Sequence, residues 1–129
     1  MPKGVLMLGK QTLIAFVATS NAARARAFYE QTLGLSLVSD DPFALVFDAN
    51  GTTIRVQKVE GLHPQPFTAL GWLVEDLSRV VTALKQKSVR CEHFPGMAQD
   101  EDGIWASPSG AHIAWFKDPD GNVLSLTQT

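Results

Sequence analysis

The sequence predicts an α+β domain assembled from two copies of a β-α-β-β-β unit, and three observations carry that prediction. A capped helix start occurs twice, with Asn21 and Arg24 matched by Asp76 and Arg79 at a separation of 55 residues. Each helix follows one apolar strand and precedes short segments rich in β-branched residues. The chain is 129 residues long, which suits one compact domain or two halves sharing a core, not two independent domains.

The elements follow in order. Residues 1–11 carry no periodic pattern and read as an N-terminal leader. Within them, Gly4 to Lys10 has the G-x-x-x-x-G-K spacing of a phosphate-binding loop. That reading fails on context, because no strand precedes it, Gln11 replaces the metal-binding hydroxyl and a strand follows instead of a helix. The first module spans 12–59. It opens with the strand TLIAFVAT (12–19), and Asn21 caps a helix whose apolar stripe is Ala22, Ala25, Phe28, Tyr29, Thr32 and Leu33. Gly34 ends that helix. Three strands follow at 35–40, 42–49 and 52–59, the last two joined by Asn50-Gly51, a strong two-residue hairpin signal.

Residues 60–67, with two prolines and a glycine, form a linker. The second module, 68–128, repeats the order. It has a strand at 68–75, the cap Asp76, and a helix striped by Leu77, Val80, Val81 and Leu84. RCEHF (90–94) is a candidate strand before a polar loop at 95–103. A hairpin joins 104–107 to 111–117, and the turn Asp118-Pro119-Asp120-Gly121 leads into the last strand, 122–128. The module ends correspond at a separation of 70, since the second copy has the longer loop. A four-stranded sheet with its helix on one side has a face left over. Pairing two such faces shields both and leaves a ligand-sized hollow.

Composition narrows the function. Eleven basic and 13 acidic residues give a net charge of −2, without the clustered positive charge that nucleic-acid binding requires. No apolar run approaches the ~20 residues of a membrane-spanning helix. Val5 to Leu8 is shorter than the ~7–15 apolar residues of a secretory signal. A single cysteine, Cys91, allows no internal disulfide and fits a reducing compartment. These features point to a cytoplasmic protein whose partner is a small molecule, with no nucleic acid and no membrane.

At FYEQTLGL (28–35), VEDL (74–77) and DPDGNVLSL (118–126) the sequence resembles the vicinal oxygen chelate superfamily. That family includes glyoxalase I, bleomycin-resistance proteins, fosfomycin-resistance enzymes and extradiol dioxygenases. The resemblance runs over most of 12–128 and implies a single domain shaped as an open, eight-stranded, cupped barrel, and a homodimer. It also implies four metal-binding positions, on the first and last strands of each module. Here they fall on Ile14, Arg55, Ala69 and Ser125. None is a strong ligand and Arg55 is a permanent cation, so no metal cofactor is expected.

Strand alternation then assigns a cavity lining. Phe16, Arg55, Gln57 and Ser125 share the face of the former ligand positions, joined by Trp105 and His112 if the hairpin register holds. In this set Arg55 would clamp an anion, unless it pairs internally with Asp48, Glu60 or Glu92. Phe16 and Trp105 would stack against an aromatic group. Trp72 and Trp115 are expected in the core. The expected function is a metal-free protein that sequesters a partly aromatic or anionic compound. The alternative is an enzyme of lyase, isomerase or dioxygenase type, working without metal or with non-standard ligands.

Overall fold

The computed structural model describes residues 7–129. Residues 1–6 of the expected leader, and with them Gly4 to Leu6 of the loop-like stretch, lie outside the described residues. Module one contains β1 (Ile14–Thr19), α1 (Ala22–Ala27), β2 (Ser36–Asp40), β3 (Ala44–Ala49) and β4 (Thr52–Lys58). Module two contains β5 (Thr68–Leu73), α2 (Leu77–Gln86), β6 (Trp105–Ala106), β7 (His112–Lys117) and β8 (Val123–Gln128). Each module forms a four-stranded mixed sheet, ordered β1-β4-β3-β2 and β5-β8-β7-β6. In both, the first strand runs parallel to the last and the remaining pairs are antiparallel.

The internal repeat is visible at the caps. Asn21 Oδ1 accepts the Arg24 backbone N–H at 3.2 Å, and Asp76 Oδ1 accepts that of Arg79 at 3.2 Å. Beyond Ala27 the first helix widens into one π-turn, Phe28–Thr32, with Leu33 N–H bonded to Phe28 O. The extra residue in the turn lets two consecutive aromatics, Phe28 and Tyr29, both point inward. Gly34, at φ +78°, then closes the helix, as only glycine does without steric cost. At the β3–β4 hairpin Asn50 and Gly51 both have positive φ, 51° and 92°, as the two-residue turn requires. Residues 90–94 form no strand; one backbone bond, Glu92 N–H to Trp115 O, ties them to β7.

The two sheets meet where β1 lies beside β5. Both helical segments therefore pack on one side, and a single core runs through both modules. Tyr29, Phe47 and Val56 from module one join Leu77, Val81, Phe116 and Leu124 from module two. Phe28 reaches across to Phe116, with ring centroids 6.4 Å apart.

A polar junction pins the modules at the edge of this core. Asp118 Oδ2 accepts the Tyr29 hydroxyl at 2.7 Å and Asn122 Nδ2–H at 2.8 Å. The same amide donates to Ala18 O on β1 at 2.8 Å. Asp118 Oδ1 takes the backbone N–H groups of Asp120 and Asn122. Asp120 in turn accepts from Thr19 Oγ1 at 2.6 Å and from the Ser20 backbone and side chain. The turn that leads into β8 thus holds the end of β1 and the helix of the other module.

Burial, and then the Asp118 carboxylate beside it, push the Tyr29 hydroxyl well above the usual phenol range. The folded state therefore keeps its proton where the unfolded chain, with an ordinary phenol near ~10, loses it. Stability is full below about pH 10 and falls as pH climbs past it. Tyr29 is the chain's single tyrosine. In an alkaline titration, tyrosinate absorbance should appear together with loss of the folded circular-dichroism signal, not before it. Tyr29→Phe should cost about 1–3 kcal/mol in denaturant unfolding, because Asp118 loses a buried donor.

Candidate functional site

The face of each sheet turned away from the helices carries the candidate site. On β4, Ile54 and Val56 are buried in the core, so Thr53, Arg55 and Gln57 stand on the open face. The register sets Arg55 between Phe16 on β1 and Val46 on β3. Arg55 is partly buried and makes no ion pair within 4 Å among the described residues. Of its three expected partners, Glu92 pairs with Lys117 at 3.6 Å. Asp48 accepts only the Gly51 backbone N–H, at 3.5 Å, and Glu60 makes no ion pair among the described residues. Asp41 is held below the usual carboxylate range chiefly by the Phe43 and Ala44 amides, with a smaller contribution from the Arg55 charge.

Ser125 on β8 is the counterpart of Arg55, at the separation of 70 residues seen in the sequence. It lies between Gly71 on β5 and Trp115 on β7. A Cβ at Gly71 would sit 2.5 Å from Ser125 Oγ, so the absence of a side chain there leaves room for the hydroxyl. Ala69 falls in a register shift between Thr68 and Leu70 and is exposed.

Two placements differ from the sequence expectation. Ala114 and Phe116 are buried against the helices, so His112, two residues before Ala114, has the helix-side parity. It pairs with Gln128 and Ala106, is exposed, and does not join Trp105. Trp115, expected in the core, instead stands on the open face opposite Ser125. Its indole N–H donates to Thr68 Oγ1 at 3.2 Å. Trp105 lies 6.1 Å from it, centroid to centroid, and Phe94 meets it edge-on at 5.6 Å. The structure thus assembles Phe94, Trp105 and Trp115 into one aromatic cluster. Trp72 packs against the core, on the helix side.

The polar loop before β6 builds the support for this cluster. Gln99 donates to Glu92 O and Gly103 O, and its carbonyl oxygen takes the Phe94 N–H at 2.7 Å. Asp100 Oδ1 receives the backbone N–H groups of Asp102 and Ile104, and Asp102 pairs with Lys85 at 2.8 Å. These acidic groups are engaged in shaping the loop. Among the described residues no three His, Cys, Asp or Glu side chains converge as a metal site.

A model of the Glyoxalase/Bleomycin resistance protein/Dioxygenase superfamily matches residues 11–126. The chain belongs to that superfamily. Solved structures of the same fold include a lactoylglutathione lyase from Agrobacterium tumefaciens, 16% identical, with TM-score 0.70 and 92% of each chain covered. A superfamily member from Sphaerobacter thermophilus is 25% identical, with TM-score 0.71, over 92% of this chain and 97% of that one. TnmS3, an antibiotic-binding protein from a Streptomyces species, is 22% identical, with TM-score 0.70, over 95% and 98%. No curated protein gives a significant match.

The four positions that the sequence resemblance assigns to a metal are Ile14, Ala69, Ser125 and Arg55, and their two alkyl side chains, hydroxyl and guanidinium are a donor set that does not fit a divalent ion. Nor does Cys91 offer a nucleophile: burial, then the charges of Asp102, Glu92 and Asp100, push its thiol up to about 11. At pH 8 its reaction with a disulfide reagent should be more than about tenfold slower than that of free cysteine, and should speed up on unfolding.

Proposed function

We propose that this member of the superfamily is a metal-free binding protein that holds a compound with an aromatic body and an anionic group against the open sheet face. The observation that carries this reading is the Arg55 guanidinium, partly buried and without an ion-pair partner among the described residues, beside the half-exposed ring of Phe16. A planar fork in that position accepts a carboxylate or phosphate in two parallel hydrogen bonds. Phe16 in module one and Trp105 with Trp115 in module two supply flat apolar surface, and Gln57 and Ser125 supply polar groups that orient the ligand. That TnmS3, of the same fold, is an antibiotic-binding protein supports a binding role.

The same face favours a homodimer. Ile14, Phe16 and Leu73 are 46%, 50% and 74% exposed there, more apolar surface than a solvated sheet face ordinarily presents. A second copy laid on this face would cover it and complete the walls of the hollow. The protein should then run as a dimer in light scattering at micromolar concentration.

The anion clamp is tested by titration calorimetry with 1-naphthoate and with the uncharged 1-naphthalenemethanol. Arg55→Ala should weaken the naphthoate by about tenfold or more and leave the alcohol unchanged, with little loss of thermal stability. Equal effects on both probes, or a loss of several kcal/mol of stability as expected when a buried pair is broken, would make Arg55 structural. Elemental analysis showing near one equivalent of transition metal per chain would overturn the metal-free reading.

A further inference from the structure

On the side of the molecule opposite the open face, α2 and the end of the module-one helix leave a groove of about 490 Å³. We propose that this groove is a second ligand site, for an amphiphilic monoanion with a carboxylate or sulfate head and an unbranched apolar tail.

Three features specify that chemistry. The floor is apolar: Leu33 and Leu35 from module one face Trp72 and Val80 from module two, with Phe116 and Leu126 beneath. Leu33, Leu35, Trp72 and Val80 remain partly exposed, so the groove is surface that the chain's own packing does not cover. The volume lies within the ~300–1,000 Å³ typical of small-molecule sites.

The charged residues in the lining are both cations. Arg79, Ala83 and Lys87 stand one turn apart along the same edge of α2 and its C-cap, so Arg79 and Lys87 are separated by ~12 Å along the helix axis. Lys87 Nζ is committed to the far end of the groove. It donates to Gln31 O at 3.0 Å and Thr32 O at 3.3 Å, where the first helix ends. Arg79 is exposed and makes no side-chain ion pair among the described residues. No acidic side chain lines the groove. An anionic head is therefore received at Arg79, and the tail runs along the apolar floor toward Lys87. Ala83, small and exposed midway between them, leaves the passage open.

The test uses the full chain with sodium decanoate, below its micelle-forming concentration, and decyltrimethylammonium as a cation of equal tail length. Decanoate should bind in calorimetry and the cation should not. Arg79→Gln should weaken decanoate about tenfold, by loss of the charge-assisted head-group bonds. Ala83→Trp, which fills the passage from an exposed position, should abolish it. In an Arg55→Ala background, which removes the open-face clamp, decanoate should still bind and Arg79→Gln should still weaken it, which separates this site from the one on the open face. Absence of decanoate binding, equal binding of the cation, or decanoate binding insensitive to Ala83→Trp would overturn the proposal. So would conversion of a dimer to a monomer by Ala83→Trp, which would show that a second copy covers the groove.

Discussion

The structure depends on one buried carboxylate. Asp118 accepts four hydrogen bonds, from the Tyr29 hydroxyl, the Asn122 amide and two backbone N–H groups of its own turn. Through them it joins a turn of module two to the helix of module one, and through Asn122 to the end of β1. A carboxylate taken out of water is tolerated only when its lone pairs are satisfied in this way, and the same requirement makes the junction directional. An apolar contact could slide, whereas Tyr29, Asn122 and Ala18 O must be where Asp118 and its turn find them. The two sheets meet at β1 and β5 with one fixed offset as a result. DPDGN thus acts as a tether as well as a tight turn.

That fixed meeting of the sheets determines what each face does. With β1 beside β5, both helices fall on the same side and share a core, leaving two open sheet faces continuous with each other. One side of the molecule carries Arg55, Ser125 and the Phe94–Trp105–Trp115 cluster; the other carries the groove between α2 and the module-one helix. Both arise from duplication. Two copies of a unit that covers one sheet face leave an open face to be used. Two helices of unequal length, meeting across the junction, leave a gap between them.

Much of the fold was legible because its signals are local. The caps at Asn21 and Asp76, the Asn50-Gly51 hairpin and the helix stop at Gly34 depend on a few adjacent residues, and all form as the sequence predicts. The candidate strand at 90–94 does not form: that segment is held largely by the side chain of Gln99, and one backbone bond ties it to β7, interactions invisible to periodicity. The site was legible where one face of a strand is clearly apolar. On β4, buried Ile54 and Val56 declare Arg55 outward. On β7 the run Ile113-Ala114-Trp115-Phe116 is apolar on both faces, so alternation could not say which ring was core. Nor did the repeat supply it: at the offset of 70 that relates Ser125 to Arg55, Val46 corresponds to Phe116, and only the register, with a connection one residue longer, sets Trp115 opposite Ser125. Phe94 carried no signal of its own, because its place beside Trp115 is fixed by the loop.

The sequence by itself determined the duplicated β-α-β-β-β order and the caps and turns that punctuate it. Each of these rests on residue identity and short-range backbone geometry. Tertiary structure alone decided that Trp115 joins Trp105 while His112 turns away, that Arg55 stands without an ion-pair partner among the described residues, and that a groove opens beside α2. Those outcomes depend on cross-strand register and on contacts between residues as far apart as Tyr29 and Asp118, distances over which the order of residues along the chain carries no geometric information.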